Sequence, residues 1–186
     1  MVPADEDPRW DFPPRSVMPG LVPERLVLLS GPTVAAWVES FRAWTQGLEF
    51  DLCVATAPDA VARNDYGGLA IEFDRRSEKK ADLFELGIST GGQETSNASA
   101  ATWPGRHMEP TELMLQPQNG GGGDAENGGY WRITWWLTPL PTTGPVEFWC
   151  RWEGGGIARS SATINATTLT RAASDASPLW TAPPPN

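Results

Sequence analysis

The chain has 186 residues, with 23 Asp and Glu against 14 Lys and Arg and a formal net charge of −9. That length suits one domain with tails, and a folded part of roughly 150 residues buries about 68–70% of its unfolded-chain surface with no need of a disulfide or metal staple. An acidic chain without a basic stripe has nothing to attract a phosphate backbone, so nucleic acid is not an expected partner.

The 19 glycines and 18 prolines punctuate the chain closely, which favours short strands over long helices. Residues 1–23 hold six of the prolines, so an extended arm is predicted there, with Trp10 and Phe12 as its anchors to the body. The same segment lacks a basic stretch followed by an apolar one, and no apolar run approaches the ~20 residues of a membrane helix, so the expected location is the cytoplasm, away from membranes. Cys53 and Cys150 are then expected as reduced thiols acting as small hydrophobes. The sequons at Asn97 and Asn165 carry no weight without export.

Residues 24–180 read as a single body. Its first strand is "ERLVLLS" from Glu24 to Ser30, stopped by Gly31 and Pro32. "VAAWVESFRAW" and "LEFDLCVAT" flank Thr45-Gln46-Gly47, where Gly47 is expected at the positive-φ position of a three-residue hairpin loop. On the second run Leu48, Phe50, Leu52 and Val54 share a core face while Glu49, Asp51 and Cys53 share the other. On the first, Trp37 and Phe41 have the opposite parity to Val38 and Trp44, so both its faces are expected to be partly covered. Residues 57–82 lose periodicity and gain charge, which reads as a loop or insertion with a short strand near Leu69 to Phe73. "LFELGIST" restores the strand pattern with Phe84, Leu86 and Ile88 aligned, and Gly91-Gly92 turns it. A short strand follows from Glu112 to Gln118, and the glycine-rich run 119–129 is expected to be a mobile loop.

Five of the ten tryptophans fall between Asn119 and Gly156. If Tyr130 to Thr138 pairs with Pro145 to Glu153 as a hairpin, one face carries Trp131, Ile133, Trp135 and Leu137 with Val146, Phe148, Cys150 and Trp152, and is core. The other carries Tyr130, Arg132, Thr134 and Trp136 with Glu147, Trp149, Arg151 and Glu153, a mixture of aromatic rings and charge. Beyond it, a strand near Ile157 to Ile164 precedes a short helix from about Ala166 to Ala176, broken before Pro178, and residues 181–186 are a tail. Short strands with regular turn signals predict an all-β protein, an antiparallel β-sandwich of the immunoglobulin-like or jelly-roll-like kind with about seven to nine strands.

The segment "YWRITWWLTPLPTTGPVEFWCRW", Tyr130 to Trp152, preceded by its glycine-rich run, resembles a family of small uncharacterised actinobacterial proteins. Trp131, Trp136, Pro139 to Pro141, Gly144-Pro145, Cys150 and Trp152 carry the likeness, with weaker matches at Pro13 to Gly20, Arg42 to Leu52, Glu85 to Ser89 and Pro178 to Trp180. The resemblance implies a cytoplasmic actinobacterial protein and brings no activity with it.

No catalytic or cofactor motif stands out. His107 is the sole histidine, so any His-based metal site or Ser-His-Asp arrangement depends on it alone, and a loop histidine is the expected reading. Glu49 and Asp51, with Glu39 on the neighbouring strand, offer the paired carboxylates a glycoside hydrolase needs, but outward carboxylates on a solvated sheet explain them as well. The glycine-rich run lacks the Lys-Ser/Thr of a phosphate cradle, and nothing fixes Asp124, Glu126 and Asn127 for calcium. The expectation is therefore a non-catalytic module without cofactor or metal, binding a protein partner or a second copy through the aromatic face of Tyr130, Arg132, Trp136, Glu147, Trp149 and Arg151. A carbohydrate stacked on the same rings is the alternative, and cover by the arm or the charged loop is the structural explanation.

Overall fold

The computed structural model describes residues 12–58, 84–98, 112–125 and 128–180. Trp10, His107, the Leu69 to Phe73 strand, Glu126 and Asn127 lie outside the described residues. Within them the chain is an antiparallel β-sandwich with one short helix near its C-terminus, as the pattern of short strands predicts. The described residues form twelve strands, of which β1 (Val17–Met18), β2 (Gly20–Val22) and β12 (Ser177–Pro178) are only two or three residues long.

The larger sheet has six strands in the order β2, β4 (Val34–Trp44), β5 (Gly47–Thr56), β9 (Gly128–Thr138), β8 (Met114–Ala125), with β3 (Leu26–Ser30) also pairing with β4. The smaller has four, in the order β11 (Ile157–Asn165), β10 (Pro145–Trp152), β6 (Glu85–Thr90), β7 (Gln93–Ser96). β1 and β12 form a ribbon of their own. The described half of the arm is thus tied to the body, β2 through β4 and β1 through the C-terminal strand.

The core lies between the two sheets. Leu48, Phe50, Leu52 and Val54 project into it from β5, with Trp131, Ile133, Trp135 and Leu137 from β9. Phe84, Leu86 and Ile88 meet them from the segment of β6, with Val146, Phe148, Cys150 and Trp152 from β10. Phe148 stands edge-on to Phe50 at 5.1 Å and to Phe41 at 5.6 Å between ring centroids, the offset that the aromatic quadrupole favours. The helix α1 (Ala166–Ser174) closes one corner. Asn165 caps it by accepting from the Thr167 amide, Leu169 and Ala172 face the core, and Gly20 is needed because a Cβ there would run into the Ala172 carbonyl.

Three local expectations are corrected. β9 and β10 do not form a hairpin: β9 pairs with β5 and β8 in one sheet, β10 with β6 and β11 in the other. Pro139 and Pro141 have no amide hydrogen with which to continue a ladder, so the chain leaves the first sheet and crosses to the second, burying Leu140 on the way. The inward residues come out the same, because crossing the sandwich and turning a hairpin both keep one parity facing the core. Gly47 is not the positive-φ residue of a three-residue loop. It pairs directly with Trp44 across Thr45-Gln46, and glycine is required because a Cβ would strike the Trp136 ring and the Leu137 carbonyl.

The glycine-rich run is the third. Residues Asn119 to Ala125 continue β8 and pair in unbroken register with Thr134 back to Gly128. Trp131 and Ile133 pack where side chains at Gly122 and Gly120 would stand, so the glycines let the neighbouring strand's bulk lie against bare backbone. The irregular parity of β4 also has a cause. Ser40 sits at φ 58 in a bulge between Glu39 and Arg42, which shifts the alternation by one residue and turns both Val38 and Phe41 inward.

Candidate functional site

The two halves of the expected aromatic face lie on opposite outer surfaces of the sandwich. Tyr130, Arg132 and Trp136 belong to the outer face of the six-stranded sheet, and Glu147, Trp149 and Arg151 to that of the four-stranded sheet. The single platform drawn from all six is not formed, because it required the hairpin that the prolines prevent.

On the smaller sheet the face is closed. Trp149 lies flat over its cross-strand partner Gly87 and is 3% exposed. The Arg159 guanidinium covers it at 4.3 Å from the ring centroid, and the same cation bonds Glu94, Glu147 and the Ser89 hydroxyl. Arg151 is paired with Glu85. Trp136 is closed off too, fully buried over Gly47 and edge-on to Trp44 at 5.7 Å. Trp44 in turn donates its indole N–H to the Val17 carbonyl at 2.9 Å, so the arm helps to cover this corner.

What remains open is the other end of the larger sheet. The strand registers lay its outward side chains in rows: Val27, Trp37, Cys53, Arg132 and Gly121 in one, Glu39, Asp51, Thr134 and Asn119 in the next, Leu21, Arg42 and Glu49 beyond. Tyr130 is 46% exposed and Val27 56%. The Tyr130 ring rests 6.1 Å from that of Trp37, giving a short apolar stripe across β3, β4 and β9.

Polar groups anchor the stripe. The Tyr130 hydroxyl donates to Cys53 Sγ at 3.3 Å, the thiol donates to Glu39 Oε1 at 3.7 Å, and Glu39 Oε2 also accepts from Trp37 Nε1 and Arg25 Nε, each at 3.0 Å. The bond to Cys53, together with burial, pushes the Tyr130 phenol up to about 12. Burial likewise raises the Cys53 thiol despite the bond from Tyr130, so neither group supplies an anion near neutral pH.

Asp51 is the hub of the next row, 3% exposed, accepting from Thr134 Oγ1 at 2.7 Å and Arg132 Nε at 3.0 Å, with Arg42 Nη2 at 3.3 Å. Burial alone would raise its carboxyl, but the bonds from Thr134 and Arg132 and the charges of Arg42 and Arg132 outweigh it and hold Asp51 below the usual carboxylate range. Glu49 is paired with Arg42. The three carboxylates considered for glycoside cleavage do lie on this face, yet the donors around Asp51 shift its carboxyl downward, the opposite direction from the raised carboxyl a general acid requires. No group of three or more metal-ligating side chains is present among the described residues.

The sequence pointed to Tyr130 and Arg132. It did not single out Val27, Trp37 or Gly121, which complete the surface; the parity of Trp37, opposite to that of Val38, was the one signal available, and its alignment with Tyr130 needed the strand order β4, β5, β9. Compared with known proteins, the chain matches no family model, no curated protein and no solved structure.

Proposed function

We propose that the protein is a non-catalytic cytoplasmic binding module that holds a protein partner on the outer face of its six-stranded sheet. The observation that carries this reading is the stripe of exposed Val27 and Tyr130 with half-buried Trp37, rimmed by charges that are already paired, among them Arg25 with Glu39 and Arg132 with Asp51. A partner covering the stripe removes apolar surface from water without having to desolvate an unpaired ion, which is the anatomy of an interface hot spot with a polar rim. Two free, buried cysteines, one in each sheet, fit a reducing compartment, and no helix among the described residues is long and apolar enough to cross a membrane.

The test is comparative capture from the native host with the wild-type chain, Tyr130→Ala and Val27→Glu. A partner that copurifies with the wild type should be lost from both variants by roughly thirtyfold, the equivalent of an aromatic hot spot of about 2 kcal/mol, while both keep a near-native melting temperature. Equal capture by all three chains would remove this face from consideration. Carbohydrate is the second reading, favoured by the half-exposed Tyr130 ring beside the Arg132 guanidinium, and a glycan array read with the same variants separates it from the first.

A further inference from the structure

Every sheet has edges, and the edges of this sandwich are unequal. β7 is four residues long, β2 three and β3 five. β11 lies against β3, where Ser160 donates to the Leu28 carbonyl. β8 is twelve residues long and ends the larger sheet, paired with β9 alone among the described residues. Beyond Gln118, an edge in that position presents backbone groups with no ladder partner among the described residues, which natural proteins blunt with Lys, Pro or a bulge. β8 has such devices in its first half only, Pro117 and the register shift between Pro117 and Asn119. From Asn119 onward the register is regular, with no proline and no basic residue.

The glycines sharpen the contrast. Gly120 and Gly122 face inward, where Ile133 and Trp131 require them. Gly121 faces outward with an ordinary φ, and a Cβ built on it meets nothing within 4 Å among the described residues. Neither backbone conformation nor packing among those residues asks for glycine there. Its neighbours do not cover it either: Tyr130 reaches to Cys53, and Arg132 and Thr134 to Asp51, all away from β8. The result is a bare backbone shelf along an open edge. Its charge is one-sided, since Glu112 to Ala125 contain two acids and no Lys or Arg. A chain of net charge −9 repels a second copy of itself at such an edge and attracts a basic segment.

We propose that the edge of β8 from Asn119 to Gly122 takes up an extended, basic segment of the partner protein as an added β-strand, with a large side chain of that segment lying over Gly121. This rests on the reading of the chain as a protein-binding module and names the partner's form. Main-chain hydrogen bonds supply the attachment, alternate side chains the selectivity, and a bulky cross-strand side chain shields the exposed glycine backbone.

The probe is a capped peptide of about nine residues, alternating tyrosine and threonine with lysine at both ends. Calorimetry with the intact protein should show binding, and amide exchange should slow along β8. Two N-methylated forms, blocked at odd and at even positions, should differ by at least about tenfold in affinity, because only one edge of an added strand donates to the sheet. Gly121→Trp fills open space, so it should keep its melting temperature and bind the peptide about tenfold more weakly. No binding, equal tolerance of the two N-methylated forms, or protection away from β8 would each overturn the proposal. A dimer that protects β8 as its concentration rises would assign the edge to a second copy and overturn it as well. Loss of peptide binding with Tyr130-dependent capture intact sinks the edge and spares the face, whereas peptide binding without any Tyr130 dependence of capture does the reverse.

Discussion

The two outer surfaces of this sandwich are built from the same residue types and end up in opposite states. Each carries an aromatic residue on a central strand with arginines and carboxylates around it. On the smaller sheet Trp149 has a glycine directly opposite, sinks onto it and is sealed by Arg159. On the larger sheet Tyr130 faces Ala55 on one side and Gly123 on the other, leans towards Trp37 and Cys53, and stays half exposed. Both rings have a glycine directly opposite on one neighbouring strand, so whether an outward aromatic ring becomes a surface is decided by which way it leans and by whether a cation is close enough to cover it.

The largest expected effect separates the two rings. Trp149→Ala should cost about 3–5 kcal/mol, as for a core tryptophan, because the ring is desolvated on both sides and its loss opens a cavity between Gly87 and Arg159. Tyr130→Ala should cost only about 1 kcal/mol, chiefly the bond to Cys53. Chemical denaturation of the two variants checks the difference, and equal costs would show that the closed and open faces are not distinct in solution.

Next in size is Asp51→Asn, expected to lose about 2–3 kcal/mol at neutral pH by leaving Arg132 and Arg42 without their shared anion. The carboxyl of Asp51 lies below its ordinary value in the folded chain, so the stability it confers is present above about pH 4, the unfolded value, and is lost as the pH falls through the folded one. Glu94 on the closed face is also lowered, by the hydrogen bond from Ser89 and by Arg159, and contributes in the same direction. The Asn variant should therefore show a shallower fall of stability below about pH 4 than the wild type, with part of the slope surviving through Glu94. An unchanged acid limb would mean that Asp51 is not the hub of its row.

Much of this was legible in the sequence for a physical reason. The inward sets of β5, β9 and β10 follow from period-two alternation, and the helix from Asn165 onward follows from its cap and the run of small and apolar residues. Pairing was less legible, because parity is blind to which strand lies alongside. Trp131 and Phe148 face the same core whether β9 and β10 are hairpin partners or belong to opposed sheets. The prolines of "PLPTTGP" were the available clue, as segments without amide donors seldom turn a tight hairpin. The glycine run misled for a different reason: low side-chain content reads as a loop, although a strand beside large rings can need just such a bare backbone. Trp37 and Tyr130 come together through two pairings that no local pattern encodes.

The smallest effects test that reading of the glycines, at two adjacent residues of one run. Gly122→Ala should destabilise by about 1–3 kcal/mol, since its Cβ would press on the Tyr130 carbonyl and the Trp131 ring and the edge strand would have to shift. Gly121→Ala, one residue away and on the other side of the sheet, has open space and no positive φ to oppose it. It should change stability by less than about 0.5 kcal/mol, or raise it by up to about 1 kcal/mol by reducing the freedom of the unfolded chain. A thermal melt of the two variants decides the matter. If both are equally harmful, the run has no outward side and the shelf beside Tyr130 does not exist. If Gly121→Ala is neutral for folding but weakens partner capture, glycine is kept at that position by something outside the fold, which is what an edge that receives another strand requires.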